Sequence, residues 1–183
     1  MATSTTRELV VLLEYAHERL QGRLEGMSEH EYLWEPVPGC WSVRRGEDGV
    51  ERADLERGEA EPAPLTTIAW RLWHISDDLS GFSARTFEGE TERGPAPSRD
   101  WTSSAAAAVA LVDTEWDRFV GHVGKLDQEG LDRPLGPAFG PYAQDSVLAL
   151  VLHVADEVIH HGAEVALMRD LYRATGGREF AAR

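Results

Sequence analysis

The chain has 183 residues, enough for one sizeable hydrophobic core; its 42% hydrophobic and 27% charged residues are ordinary for a globular protein. A net charge of −14 excludes a nucleic-acid-binding face and adsorption to anionic membranes, since both need clustered positive charge. The single cysteine, Cys40, excludes an internal disulfide and fits a reducing cytoplasm.

The N-terminal residues lack a basic segment followed by a long apolar run, so no signal peptide is expected, and no apolar stretch is long enough to span a membrane. Leu9, Leu12, Leu13, Ala16, Leu20 and Leu24 recur at helical steps and predict a first helix from about Thr5 to Gly26. A long irregular connection, Glu31 to Pro64, follows, rich in Pro and Gly; connections of that length are uncommon and often functional. Its Trp34 and Trp41 are expected to fold back near the mouth of any site, and Cys40 reads as a buried or bystander thiol.

A second helix begins at Thr66 or Thr67, either a suitable N-cap, and runs to about Phe87, with Ile68, Leu72, Ile75, Leu79 and Phe82 as its apolar stripe. After a Gly/Pro-rich stretch, Gly89 to Pro97, a third helix opens at Trp101 and carries Ala107, Leu111, Val112, Trp116, Phe119 and Val120. Gly121 to Ala143 reads as a loop, and a last helix runs from about Ser146 to Ala174, stopping near Gly176 and Gly177. No strand is convincing. The pattern predicts an all-α four-helix bundle spanning residues 1–183 as one domain.

The last helix carries the chemistry. It holds His153, Glu157, His160, His161 and Glu164 among aliphatic neighbours. With His153 placed at zero on a helical wheel, Val147, Leu150, Val151, Val154, Val158, Val165, Met168 and Tyr172 span about 60° to 160°. Glu157 falls near ~40° and His161 near ~80°, on or inside that stripe, whereas His160 (~340°) and Glu164 (~20°) fall outside it. A carboxylate and an imidazole against a core face are costly unless paired or ligating, and one helical turn apart both can reach one divalent ion. His153 and His160 are the rival ligands on this helix, and Asp156 and Glu164 read as its solvated edge. The second helix offers His74, flanked by Trp70, Trp73 and Asp78; its wheel position lies off the apolar stripe, but the tryptophans imply cover on that side too. Asp78, one turn on, is the sequence-local candidate to accept a hydrogen bond from His74. His17, His30 and His122 have no partner pattern and read as surface residues.

The segments Thr66-Thr-Ile-Ala-Trp-Arg-Leu-Trp-His-Ile and Asp156-Glu-Val-Ile-His-His-Gly-Ala-Glu resemble the two metal segments of the DinB/YfiT-like superfamily. Tyr32-Leu-Trp-Glu-Pro-Val-Pro-Gly-Cys-Trp-Ser-Val is similar to the tryptophan-bearing loop of many members. The resemblance implies a four-helix bundle holding one divalent metal, zinc first and nickel as the alternative, on three side chains. Carried over, these are His74, Glu157 and His161. Glutamate at 157, where many members have histidine, is similar to the branch containing mycothiol-dependent maleylpyruvate isomerase. The resemblance further implies a homodimer and a thiol-dependent S-transferase or isomerase that joins a low-molecular-weight thiol, such as mycothiol or bacillithiol, to a small electrophile. The competing expectations are a metal-dependent hydrolase and a metal-binding, stress-related protein without turnover.

Overall fold

The computed structural model describes residues 2–55, 64–89 and 99–180. Four long helices make the body: α1 (Ser4–Leu24), α3 (Ile68–Phe87), α4 (Ala105–Val123) and α6 (Val147–Thr175). Each starts at a hydroxyl N-cap, Thr3, Thr67, Ser104 and Ser146 in turn, whose side-chain oxygen accepts a backbone N–H three residues on. At its other end α6 stops on Gly176, which takes a left-handed conformation (φ 63°) that lets its N–H and that of Gly177 satisfy the last carbonyls.

Leu9, Leu13, Ala16, Leu20 and Leu24 of α1 are buried at the spacing that the sequence shows, against a core of Ile68, Leu72, Ile75 and Leu79 (α3), Val112, Trp116 and Phe119 (α4), and Val151, Val154, Val158 and Val165 (α6). α3 packs on α4, α6 on both α1 and α3, and contact between α1 and α4 closes the bundle. α6 therefore lies between α1 and α3, and its polar face opens onto the α3 side. Among the described residues no helix is long and apolar enough to cross a membrane.

Among the described residues the connections hold regular elements that their composition does not suggest. The first holds a short helix, α2 (Glu29–Tyr32), and an antiparallel hairpin of β1 (Val43–Arg45) and β2 (Glu51–Ala53), paired Val43 with Ala53 and Arg45 with Glu51. The sequence offers no apolar alternation there. The hairpin is held instead by Asp54, which accepts hydrogen bonds from Ser42 N and Arg44, and by Glu51, whose carboxylate accepts from Ser103 N and Oγ just before α4. Gly121–Ala143, expected as a loop, instead contains the end of α4, a one-turn helix α5 (Gln128–Asp132) and a 3₁₀ segment, Pro137–Tyr142. The expected irregular stretches at residues 56–63 and 90–97 lie outside the described residues.

One buried ion pair locks the far end of the bundle. Arg169 of α6, 2% exposed at its side chain, donates from Nε and Nη2 to the two oxygens of Glu31 on α2, at 2.6 and 3.0 Å. Its Nη1 donates to the carbonyls of Arg23 and Glu25, at the C-terminal end of α1. Those carbonyls carry the negative end of the helix dipole and have no partners within α1, so one guanidinium satisfies two needs. Removing it leaves a buried carboxylate and two bare carbonyls. Arg169→Ala is expected to cost about 3–5 kcal/mol in urea unfolding. Arg169→Met with Glu31→Leu should cost clearly less than Arg169→Ala, and equal losses would contradict a net charge-burial origin.

Candidate metal centre

His74 comes from the second turn of α3, and Glu157 and His161 from successive turns of α6, so packing of α3 on α6 brings them together. One donor atom from each lies within 4.8 Å of the others. Glu157 Oε2 stands 3.2 Å from His161 Nε2 and 3.6 Å from His74 Nε2. Two ligands bound at about 2.1 Å on a tetrahedral zinc ion stand ~3.4 Å apart. The observed separations bracket that edge.

The protonation of His161 decides how these atoms meet. Its Nδ1 lies 2.7 Å from Glu164 Oε2 and 3.3 Å from an Nη of Arg71, and Arg71 is also ion-paired to Glu164. Both ring nitrogens face a carboxylate oxygen, and the shorter contact, 2.7 Å at Nδ1 against 3.2 Å at Nε2, assigns the proton to Nδ1. Burial, reinforced by His74 and Arg71, depresses the His161 pKa to about 4, so at neutral pH the ring is uncharged. Nε2 then carries a lone pair and points at the lone pairs of Glu157 Oε2. Acceptors facing acceptors repel in the absence of a cation and become ligands in its presence. The donor set fits a borderline-soft divalent ion such as zinc.

Glu164 was expected on the solvated edge of α6 and is instead the residue that orients His161. Its partner Arg71 is buried on α3, three residues before His74, with its pKa pushed down to about 10 by that burial. The available signal was the pair: an arginine on the His74 face opposite a glutamate one turn beyond His161.

The rival histidines stay outside. The His160 side chain is 62% exposed and that of His153 52%, against 13% for His161. His160, His161 and Glu164 do form a second group of neighbouring donor atoms. Its closest pair, His161 Nδ1 and Glu164, is at hydrogen-bond distance, and Arg71 already occupies that carboxylate. Asp78 was expected to accept from the outward nitrogen of His74. It lies instead 3.5 Å from Nε2, the same nitrogen that faces Glu157. Burial, then the nearby Glu157 charge, hold its carboxyl above the usual range.

The long connection supports the site through Trp70. Trp70 stacks on His74, with ring centroids 5.2 Å apart, and also contacts Trp73 and Trp41. Its Nε1 donates to the carbonyl of Asp54 at 2.7 Å, while Trp41 exchanges backbone hydrogen bonds with Leu65 and Thr67 at the start of α3. Trp41 thus folds towards the site as expected. Trp34 does not: it packs edge-on against Tyr172, about three turns along α6 from His161. The other histidines have partners that the sequence did not suggest: His17 stacks on Trp116 and bonds to Asp113, His30 bonds to Tyr172, and His122 stacks on Phe87 and bonds to Glu88. Cys40 is buried, its thiol donates to the Val37 carbonyl, and burial raises its pKa.

The family model of the DinB superfamily matches residues 12–165, a span that includes His74, Glu157 and His161. The chain belongs to the DinB superfamily. A crystal structure titled as the conserved protein of locus from Enterococcus faecalis shares the fold, with a TM-score of 0.60 at 14% identity over 95% of this chain and 99% of that one. No curated protein matches.

Beside the centre, Asp77 has its pKa raised to about 6, first by burial and then by the Asp78 charge. The folded state holds this proton more tightly than the unfolded state, so its stabilising effect is full below about pH 4 and is lost as pH rises through about 6. Asp77→Asn is therefore expected to raise the melting temperature of chelator-treated protein at pH 7.5. The gain should shrink towards zero as pH falls to about 4. A gain independent of pH would contradict the assignment.

Proposed function

We propose that this DinB-superfamily protein is a divalent-metal-dependent enzyme that joins a low-molecular-weight thiol to a small electrophile, as an S-transferase or an isomerase. The observation that carries the reading is the convergence of His74 Nε2, Glu157 Oε2 and His161 Nε2, three protein ligands where a tetrahedral ion takes four. A metal in such a centre supplies an open position that holds a thiol sulfur as thiolate at neutral pH.

The chain's own residues do the rest. Glu164 and Arg71 keep the His161 proton on Nδ1 and so aim its lone pair at the site; Trp70 fixes the plane of His74. The protein's own thiol is unsuited to the role, because Cys40 is buried and its pKa is raised. The nucleophilic sulfur must therefore come from outside. In transfer, a sulfur–carbon bond forms as the bond from that carbon to its leaving group breaks, and the thiol proton passes to solvent. In isomerisation, sulfur adds to a conjugated double bond and is later expelled after rotation, with no net change in composition.

Zinc fits the two-imidazole, one-carboxylate set, and nickel is the alternative. Mycothiol and bacillithiol are the proposed thiols, with a cytoplasmic location where such thiols stay reduced. A homodimer is also proposed, on the face where Val11, Tyr15, Leu152 and Ile159 are exposed along α1 and α6; light scattering should give twice 20.3 kDa, and a monomer at high concentration would contradict it.

The direct test incubates zinc- or nickel-loaded protein with each thiol and 1-chloro-2,4-dinitrobenzene, and follows thiol consumption and chloride release together. The expected result is consumption with one thiol, lost on chelation and restored by metal. Metal-independent consumption, or none with any thiol, would overturn the reading.

A further inference from the structure

A cavity lies where α3 and α6 meet, to one side of the metal centre. It has a volume of about 420 Å³ and is lined by Phe82 of α3, Leu135, Phe139 and Tyr142 of the segment before α6, and Ala149 and His153 of α6. That size accommodates a small organic group. Phe82 and Phe139 present nearly parallel rings, 14° apart in plane with centroids at 6.3 Å, and the Arg85 guanidinium lies over both, 5.3 Å from each centroid.

Helical spacing connects this cavity to the metal centre. Along α3, Phe82 follows Asp78 and His74 at four-residue steps; along α6, His153 precedes Glu157 and His161 at the same steps. His153 makes the junction. Its ring lies 6.0 Å from that of Phe82, and its Nε2 lies 3.9 Å from Glu157 Oε1. Glu157 thus turns Oε2 towards His74 and His161 and Oε1 towards the cavity wall.

We infer that this cavity binds the apolar half of the electrophile, and that the group it takes is an uncharged aromatic ring system. The inference rests on the reading of the adjoining centre as the thiol site. The aromatic walls favour a planar partner that can lie against a ring face or edge. Charge decides against an anion. Asp145 lies on the rim and Asp78 and Glu157 flank the junction, so three carboxylates stand against the Arg85 guanidinium, which lies over the Phe82 and Phe139 rings. A ring lying against Phe82 and Phe139 beside His153 would adjoin Glu157, where sulfur would arrive.

N-phenyl-1-naphthylamine and 8-anilinonaphthalene-1-sulfonate share one ring skeleton and differ by a sulfonate, so fluorescence titration with both separates shape from charge. Metal-free wild-type protein is expected to bind the neutral probe at least 10-fold more tightly than the anion. Phe82→Ala and Phe139→Ala should each weaken the neutral probe by about 10-fold. Ala149→Trp, at an exposed helix position, fills the cavity without disturbing the core and should abolish binding. His74→Ala should bind the neutral probe as wild type does while losing metal, so failure of the cavity and failure of the metal centre give different results. Equal affinity for the two probes, or unchanged binding in Ala149→Trp, would overturn the inference.

Discussion

The hydrogen bond from His161 Nδ1 to Glu164 governs the chemistry available at the α3–α6 seam. With the proton on that nitrogen, Nε2 is a lone pair aimed at Glu157, an arrangement of acceptors that a cation would reconcile. With the proton on Nε2, the same residues would form an ordinary histidine–glutamate pair with no need for an ion. Arg71 biases the choice, because its buried guanidinium is ion-paired to Glu164 and holds that carboxylate against Nδ1. Burying an arginine costs several kcal/mol unless it is fully paired. An Arg71–Glu164 pair at the edge of a bundle core makes sense as the support for something else, and His161 is what it touches.

The remainder of the fold holds α3 and α6 in the register that this network requires. At the far end, Arg169 ties α6 to α2 and to the last carbonyls of α1. At the near end, the connection between α1 and α3 returns through Trp41 and Asp54 to brace Trp70, which lies flat on His74. A long connection would be an entropic burden if it were loose. Here it folds into α2 and a small hairpin, and its hydrogen bonds end beside the site.

The four long helices were legible in the sequence because each has a hydroxyl cap at one end and apolar residues at three- and four-residue steps between. The last-helix wheel separated His161 from His160 for the same reason: a difference of about 100° is the difference between core and solvent. The hairpin was not legible, since Val43–Arg45 and Glu51–Ala53 are too short and too charged to alternate, and their support comes from Ser103 and Asp54, distant or irregular in sequence. Glu164 and Asp78 were misread because a wheel treats one helix at a time. Glu164 lies off the apolar stripe of α6, but α3 covers that flank with Arg71; Asp78 lies one turn from His74, yet approaches it from the Glu157 side. Trp34 found apolar cover, as a large aromatic should, but at Tyr172.

In the proposed centre His74, Glu157 and His161 hold one divalent ion while Glu164 aims His161 from behind. Competitive zinc titration of metal-free protein against a chromophoric chelator, with wild type, His161→Ala, His160→Ala and Glu164→Gln side by side, tests it most directly. One ion per chain is expected, with near-complete loss of binding in His161→Ala, wild-type affinity in His160→Ala, and about 10–100-fold weaker binding in Glu164→Gln. Loss of the ion in His160→Ala with retention in His161→Ala would contradict it.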